Sequence, residues 1–246
     1  MKAEKQYTEG ISTANNKFVS WLENYWYHYK WITLVVAFLV VVVAVCTIQS
    51  CTAKSSDINI TYAGKALFSE SDKKALEGVF SKYLPDEFAD DATSSVLSYY
   101  ILSKEQITEM EKETHADGED VYVDRSFISS EKENFESQRQ TDTSSILFLE
   151  PWLYQEIAGN TGSTQVLKPL REIFGETPEG AIDNYGIRLG DTEMYKNNPE
   201  LTCLPEDTII CLFEKRLWQK EKNYDMELAA FKAFTKLAPK DEASID

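Results

Sequence analysis

Polarity along this chain changes abruptly in one place. From Ile32 to Ile48 the sequence reads ITLVVAFLVVVVAVCTI, and no charge occurs between Lys30 and Lys54. A helix that is apolar all the way round suits lipid or the centre of a large core, not water. Seventeen residues at about 1.5 Å each reach roughly 25 Å, close to a hydrocarbon thickness once Trp31 and Gln49–Thr52 fill the interfaces. Trp21, Tyr25, Trp26, Tyr27, Tyr29 and Trp31 precede the span. Their amphipathic rings suit the headgroup level.

Beyond residue 54 the pattern alternates between short apolar runs and helical periodicity. Ile58–Ala63 has strand character. Ser69 with Asp72 predicts a capping box opening a helix that ends near Leu84-Pro85; Leu76, Val79, Phe80, Tyr83 and Leu84 share one face. Ser94–Leu102 reads as a second strand, and Ser103 with Gln106 opens a polar helix. Val121–Val123 is a short strand candidate, and 129–139 a charged helix. Ser145–Leu149 is apolar throughout, as a strand covered on both faces should be. It feeds straight into Pro151–Gly159, a helix with proline in its first turn and glycine at its end. A short helix over 166–174, strands at Tyr185–Leu189 and Thr208–Phe213, and a closing helix from Asp225 to about Leu237 complete the pattern. Alternation of this kind predicts an α/β class: an N-terminal transmembrane helix followed by a single mixed α/β extracytoplasmic domain with a central sheet. The expected divisions are 1–31, a cytoplasmic leader with its aromatic juxtamembrane segment; 32–49, the transmembrane helix; and 54–240, the domain.

Charge sets the orientation. Lys2, Lys5, Lys17 and Lys30 precede the span, against Lys54 and Lys65 just after it, a bias toward a cytoplasmic N-terminus. The expected location is therefore the cell membrane, single-pass, with the C-terminal domain outside. About thirty residues precede the apolar core, too many for an ordinary cleaved signal. Ile48-Gln49-Ser50-Cys51 has the form of a lipobox, so acylation of Cys51 is the alternative to an uncleaved anchor. Residues 54–246 carry 21 basic and 38 acidic side chains, a net charge of −17. So acidic a domain repels phosphate, which argues against nucleic acid as a partner, and the charge favours solubility.

Candidate chemistry is sparse. His28 and His115 are the two histidines, too few for a multi-histidine zinc site, and no histidine-based triad is evident. Glu113–Asp124 resembles a calcium loop around Gly118, but His115 stands where an oxygen donor belongs. Gly159–Thr164 (GNTGST) lacks the lysine of a phosphate loop and follows a helix. A catalytic carboxylate pair is compatible with so many acids, yet no hydrolase or metalloprotease motif is present, and no cofactor is implied. Cys203 and Cys211 bracket LPEDTII; a hairpin loop at 206–208 would set them opposite each other for a disulfide, and two buried free thiols are the alternative.

Several segments together carry a resemblance: YYKW before the span, ITYAG, YLPDE, SILFLEPWLYQEIA, YGIRLGDTEMYK and LPEDTIICLF. They are similar to a group of uncharacterised single-span bacterial membrane proteins. The exterior portion of that group resembles one lobe of ABC-type extracellular solute-binding proteins. The resemblance implies an α/β fold and a Gram-positive-type envelope, and it transfers no functional residue. Solute-binding proteins clamp their ligand between two lobes, and here the second is missing or reduced. The expected function is non-enzymatic: an acidic binding or interaction domain, anchored in the bilayer through 32–49, whose partner is an envelope protein or a small solute. The alternatives are a reduced solute-binding or sensing module, with Trp152, Tyr154 and Tyr185 as contacts, and a carboxylate-dependent hydrolase.

Overall fold

A computed structural model describes residues 15–52, 56–85, 92–116, 123–141, 144–159, 167–217 and 219–239. The chain divides into two compact units, Met1–Ser55 and Ser56–Asp246.

Among the described residues the first unit is one long helix, α1 (Asn15–Thr52). Within it, the candidate span Asn24–Ile48 contains an 18-residue window whose mean hydropathy is 2.9 and of which none is buried against protein. That length and composition suit a membrane span or a signal sequence. Upstream of the purely apolar part, Trp21, Tyr25 and Tyr29 recur every fourth residue, so their rings fall on one face. They stack with centroids 5.8 and 5.3 Å apart. Thr33 continues this face, its hydroxyl donating to that of Tyr25 at 3.1 Å.

The second unit is a three-layer α/β/α domain. Its strands are β1 (Ile58–Gly64), β2 (Ser94–Tyr100), β3 (Ile146–Leu149), β4 (Ile187–Arg188) and β5 (Ile209–Leu212), in the spatial order β2-β1-β3-β5-β4. β1 pairs in parallel with both β2 and β3, and β5 runs antiparallel to β3 and β4. Because side chains alternate along a strand, this register sorts the apolar residues into two layers. Ile58, Ile60, Tyr62, Ile146, Phe148, Ile210 and Leu212 form one buried face. Ala63, Leu147, Leu149, Ile209 and Cys211 form the other.

Helices cover both faces. The first is packed by Leu76, Val79 and Phe80 of α2 (Glu70–Lys82), by α6 (Leu170–Phe174), by Met194 of α7 (Glu193–Asn197), and by Phe231 and Phe234 of α8 (Glu221–Phe234). The second receives Phe135 of α4 (Arg125–Gln140) and Leu153, Tyr154 and Ile157 of α5 (Pro151–Gly159). Right-handed crossovers explain the division. The path from β1 to β2 moves one way along the sheet and the path from β2 to β3 moves back past β1, so their helices fall on opposite faces.

Several local expectations meet their elements closely. Ser69 and Asp72 form a reciprocal capping box at α2. Ser103 and Gln106 do the same at α3 (Lys104–Ala116). Others shift. α4 begins at Arg125, not Ser129, because the Asp124 carboxylate accepts the Phe127 N–H and caps an earlier turn. α8 begins at Glu221, one turn before Asp225, because its first turn buries Tyr224, whose hydroxyl donates to the Phe213 carbonyl at 2.9 Å. His115 falls within α3 and not in a loop. The strand expected at 185–189 shrinks to Ile187–Arg188, followed by a 3-10 turn over Leu189–Asp191. α7 and a second 3-10 helix over Pro199–Cys203 had no distinct sequence signal. Residues 121–122 of the short strand candidate, and residues 160–164 of the GNTGST loop, lie outside the described residues.

Phe148 is fully buried where β3 meets Phe80 edge-on at 5.2 Å. Phe148→Ala is expected to lower unfolding free energy by about 3–5 kcal/mol. Leu217→Ala, at a side chain left exposed, should stay within about 0.5 kcal/mol. Urea unfolding of both variants checks the contrast.

Candidate functional site

In an open α/β sheet, ligands bind outside the carboxyl ends of the strands, where the strand order reverses. Here that point falls between β1 and β3, and the residues directly after them are Lys65 and Glu150. Glu150 ends the all-apolar run of β3 and sits beside the first turn of α5. Its carboxylate is almost wholly enclosed, its side chain 5% exposed, while that of Lys65 is 49% exposed.

A buried carboxylate needs compensating donors. Glu150 has three. Its Oε2 accepts the Lys65 backbone N–H at 3.0 Å, and its Oε1 accepts Gln106 Nε2. The Lys65 ammonium lies 3.7 Å from Oε1. The backbone of Glu150 is tied as well, its N–H donating to the Ala63 carbonyl at 3.1 Å. One side chain therefore links the β1–α2 loop, the start of α3 and the β3–α5 turn. The floor is equally tight. The Ala66 N–H donates to the Tyr62 hydroxyl at 3.0 Å. A Cβ on Gly64 would stand 2.7 Å from that hydroxyl and 3.1 Å from the Glu150 Cβ, so only glycine fits between them. Burial, with the Glu150 carboxylate nearby, pushes the Tyr62 phenol above its ordinary range.

The aromatic residues singled out from sequence serve packing. Tyr154 is buried in the second core layer, with Trp152 and Tyr185 packed against that layer. The Tyr154 hydroxyl donates to Asp183 Oδ1 at 2.6 Å, and the same oxygen accepts the Tyr185 and Gly186 N–H groups at 2.8 and 3.1 Å. Asp183 thus pins the loop before β4 to α5. The Lys132 ammonium lies 5.9 Å over the Trp152 ring and 3.4 Å from Glu156. An open groove of about 490 Å³ runs along α4; among the described residues its lining is polar, with Lys132, Glu133, Glu136 and Gln140.

The other candidates come apart in space. Cys203 and Cys211 are free thiols. Cys203 ends a 3-10 helix and packs with the first core layer, whereas Cys211 points into the second. The hairpin that would have faced them does not form, because no strand precedes the turn. Burial raises the Cys211 thiol far above its usual value, so it is no thiolate nucleophile. Cys51 lies in the last turn of α1. Of the calcium-like segment, residues 117–122 lie outside the described residues, and Asp124 is engaged as the α4 cap. Among the described residues no three His, Cys, Asp or Glu side chains gather as a metal site. The buried acids Glu150 and Glu227 sit at opposite ends of β3. Glu227 accepts the Ser145 N–H before the strand and Glu150 follows it. Four strand residues separate them by roughly 13 Å or more, beyond the spacing of a glycosidase pair.

No protein-family model, curated protein or solved structure matches the chain.

Sequence reasoning passed over Lys65 and Glu150. The available signal was a glycine and a charge directly after a strand, and a lone acid between an apolar strand and proline. Gly64→Ala should cost about 1–3 kcal/mol in denaturant unfolding, from overpacking. Burial first, then the Asp183 hydrogen bond, raises the Tyr154 phenol. The folded state therefore holds that proton above pH about 10, where the unfolded chain releases it. Stability from this group is complete below that pH and falls as pH rises further. Tyr154→Phe is expected to lose about 1–3 kcal/mol at neutral pH and to show a shallower alkaline decline in urea midpoints measured from pH 8 to 11.

Proposed function

We propose that the chain is a single-pass membrane-anchored protein whose acidic α/β domain lies outside the cytoplasm and binds a protein or another envelope component. Residues 32–49 cross the bilayer, the N-terminus is cytoplasmic, and the carboxyl edge around Lys65 and Glu150 is the binding surface. The observation that carries the reading is α1. Its apolar side chains from Trp31 to Ile48 are exposed, which water penalises and lipid does not. The second unit has two core layers of its own.

A second reading, a reduced solute-binding module similar to one lobe of ABC-type binding proteins, draws support from the strand reversal beside β1. It involves a small ligand at the same edge. Neither reading assigns a reaction.

Carbonate extraction of expressing cells is the test of anchoring. The full-length chain should stay with the membranes, and external protease should digest residues 54–240 in cells without an outer barrier. Recovery of the full chain in the cytosol would overturn the anchor. For the second reading, a sugar or peptide at a hundred times its Kd should stabilise the protein by about 2.7 kcal/mol, read as a rise in Tm; no shift across the sugars and peptides screened returns the choice to a macromolecular partner.

A further inference from the structure

We propose that α3 is a hinged lid on the carboxyl edge, latched by the hydrogen bond from Gln106 to Glu150. The inference rests on reading that edge as the binding surface.

The chain leaves the sheet through Ile101 and Leu102, both buried, and α3 starts immediately afterwards with Ser103 as its cap. Past that point the burial thins: from Lys104 to Lys112 no side chain is fully buried, and Gln106, Ile107, Met110 and Glu111 are half-buried. A helix of 13 residues is marginal by itself in water and depends on packing. α3 instead relies on side-chain tethers. The Tyr100 hydroxyl reaches Met110 Sδ at 3.9 Å. Arg125 holds both oxygens of Glu111 at 2.7 and 2.9 Å, an exposed pair of small value. Gln106 is the tether that enters the interior, and its partner is the enclosed Glu150 carboxylate. α3 therefore belongs to the low-stability end of the domain, where local opening is easiest.

Opening at Ser103 would lift the Gln106 amide from Glu150. The carboxylate would keep its backbone donor from Lys65 and so stay oriented, while Oε1 would lose its amide donor and keep the Lys65 ammonium 3.7 Å away. A ligand that supplies an ammonium, guanidinium or other N–H donor could take the place of Gln106. The lid would then respond to such a ligand by competition for a single acceptor.

Gln106 has two jobs, since its Oε1 also accepts the Ser103 N–H at 2.8 Å. Gln106→Glu keeps that cap acceptor, removes the donor and sets a like charge beside Glu150. Ser103→Ala weakens the cap and leaves the latch. Hydrogen–deuterium exchange of the full-length chain in detergent micelles separates them. Gln106→Glu should speed exchange over 104–116 about tenfold or more, with β1 and β3 unchanged and a smaller effect from Ser103→Ala. Wild-type exchange in Gln106→Glu would overturn the lid. So would an equal rise in Ser103→Ala, or a parallel rise in β1 and β3. Exchange needs no ligand, so a negative result bears on the lid and not on the binding surface.

Discussion

The need to hide β3 on both faces organises the domain. Ile146 and Phe148 point one way, Leu147 and Leu149 the other, and all four are buried. A strand with two apolar faces requires a helix layer on each. The chain supplies them by passing from β1 to β2 on one side and returning from β2 to β3 on the other. That return creates the reversal of strand order beside β1, and Lys65 and Glu150 meet at the strand ends beside it. The position of the candidate site thus follows from how the core is covered.

Glu150 shows how burial and charge combine at such a point. Its carboxylate is enclosed among apolar strand ends, so it must be matched by donors, and the donors come from a loop and a helix start far apart in sequence. The same contacts that offset its desolvation also tie the β1–α2 loop and the start of α3 to the end of β3. Gly64 is part of this arrangement, because the Tyr62 hydroxyl and the Glu150 side chain occupy the space a Cβ would need. Asp183 plays a comparable part beside α5, where one carboxylate oxygen collects a phenol and two backbone N–H groups. In both places an acid fixes a loop through the donors it collects.

Local chemistry was readable wherever a residue acts on its own neighbours. The capping boxes at Ser69 and Ser103, the proline-led start of α5 and the all-apolar β3 all formed as their patterns implied. Signals competing with distant packing were misplaced. Tyr224 pulls α8 one turn earlier because its ring is buried, and Asp124 caps α4 ahead of the charged stretch from Ser129. Trp152, Tyr154 and Tyr185 drew notice as aromatics near strand ends; the fold buries Tyr154 in the core and packs Trp152 and Tyr185, half-buried, against it. Lys65 and Glu150 stood out little, since a single charge beside a strand is common and 85 positions separate them.

By itself, the sequence determined the apolar helix, the acidic character of the domain after it and the α/β alternation, because each depends on composition or on periodicity within one segment. Tertiary structure alone decided the strand order, the side of the sheet on which each cysteine lies, and the meeting of Lys65, Gln106 and Glu150. Those depend on which segments become neighbours when both faces of the sheet are covered, and that is a property of the whole domain.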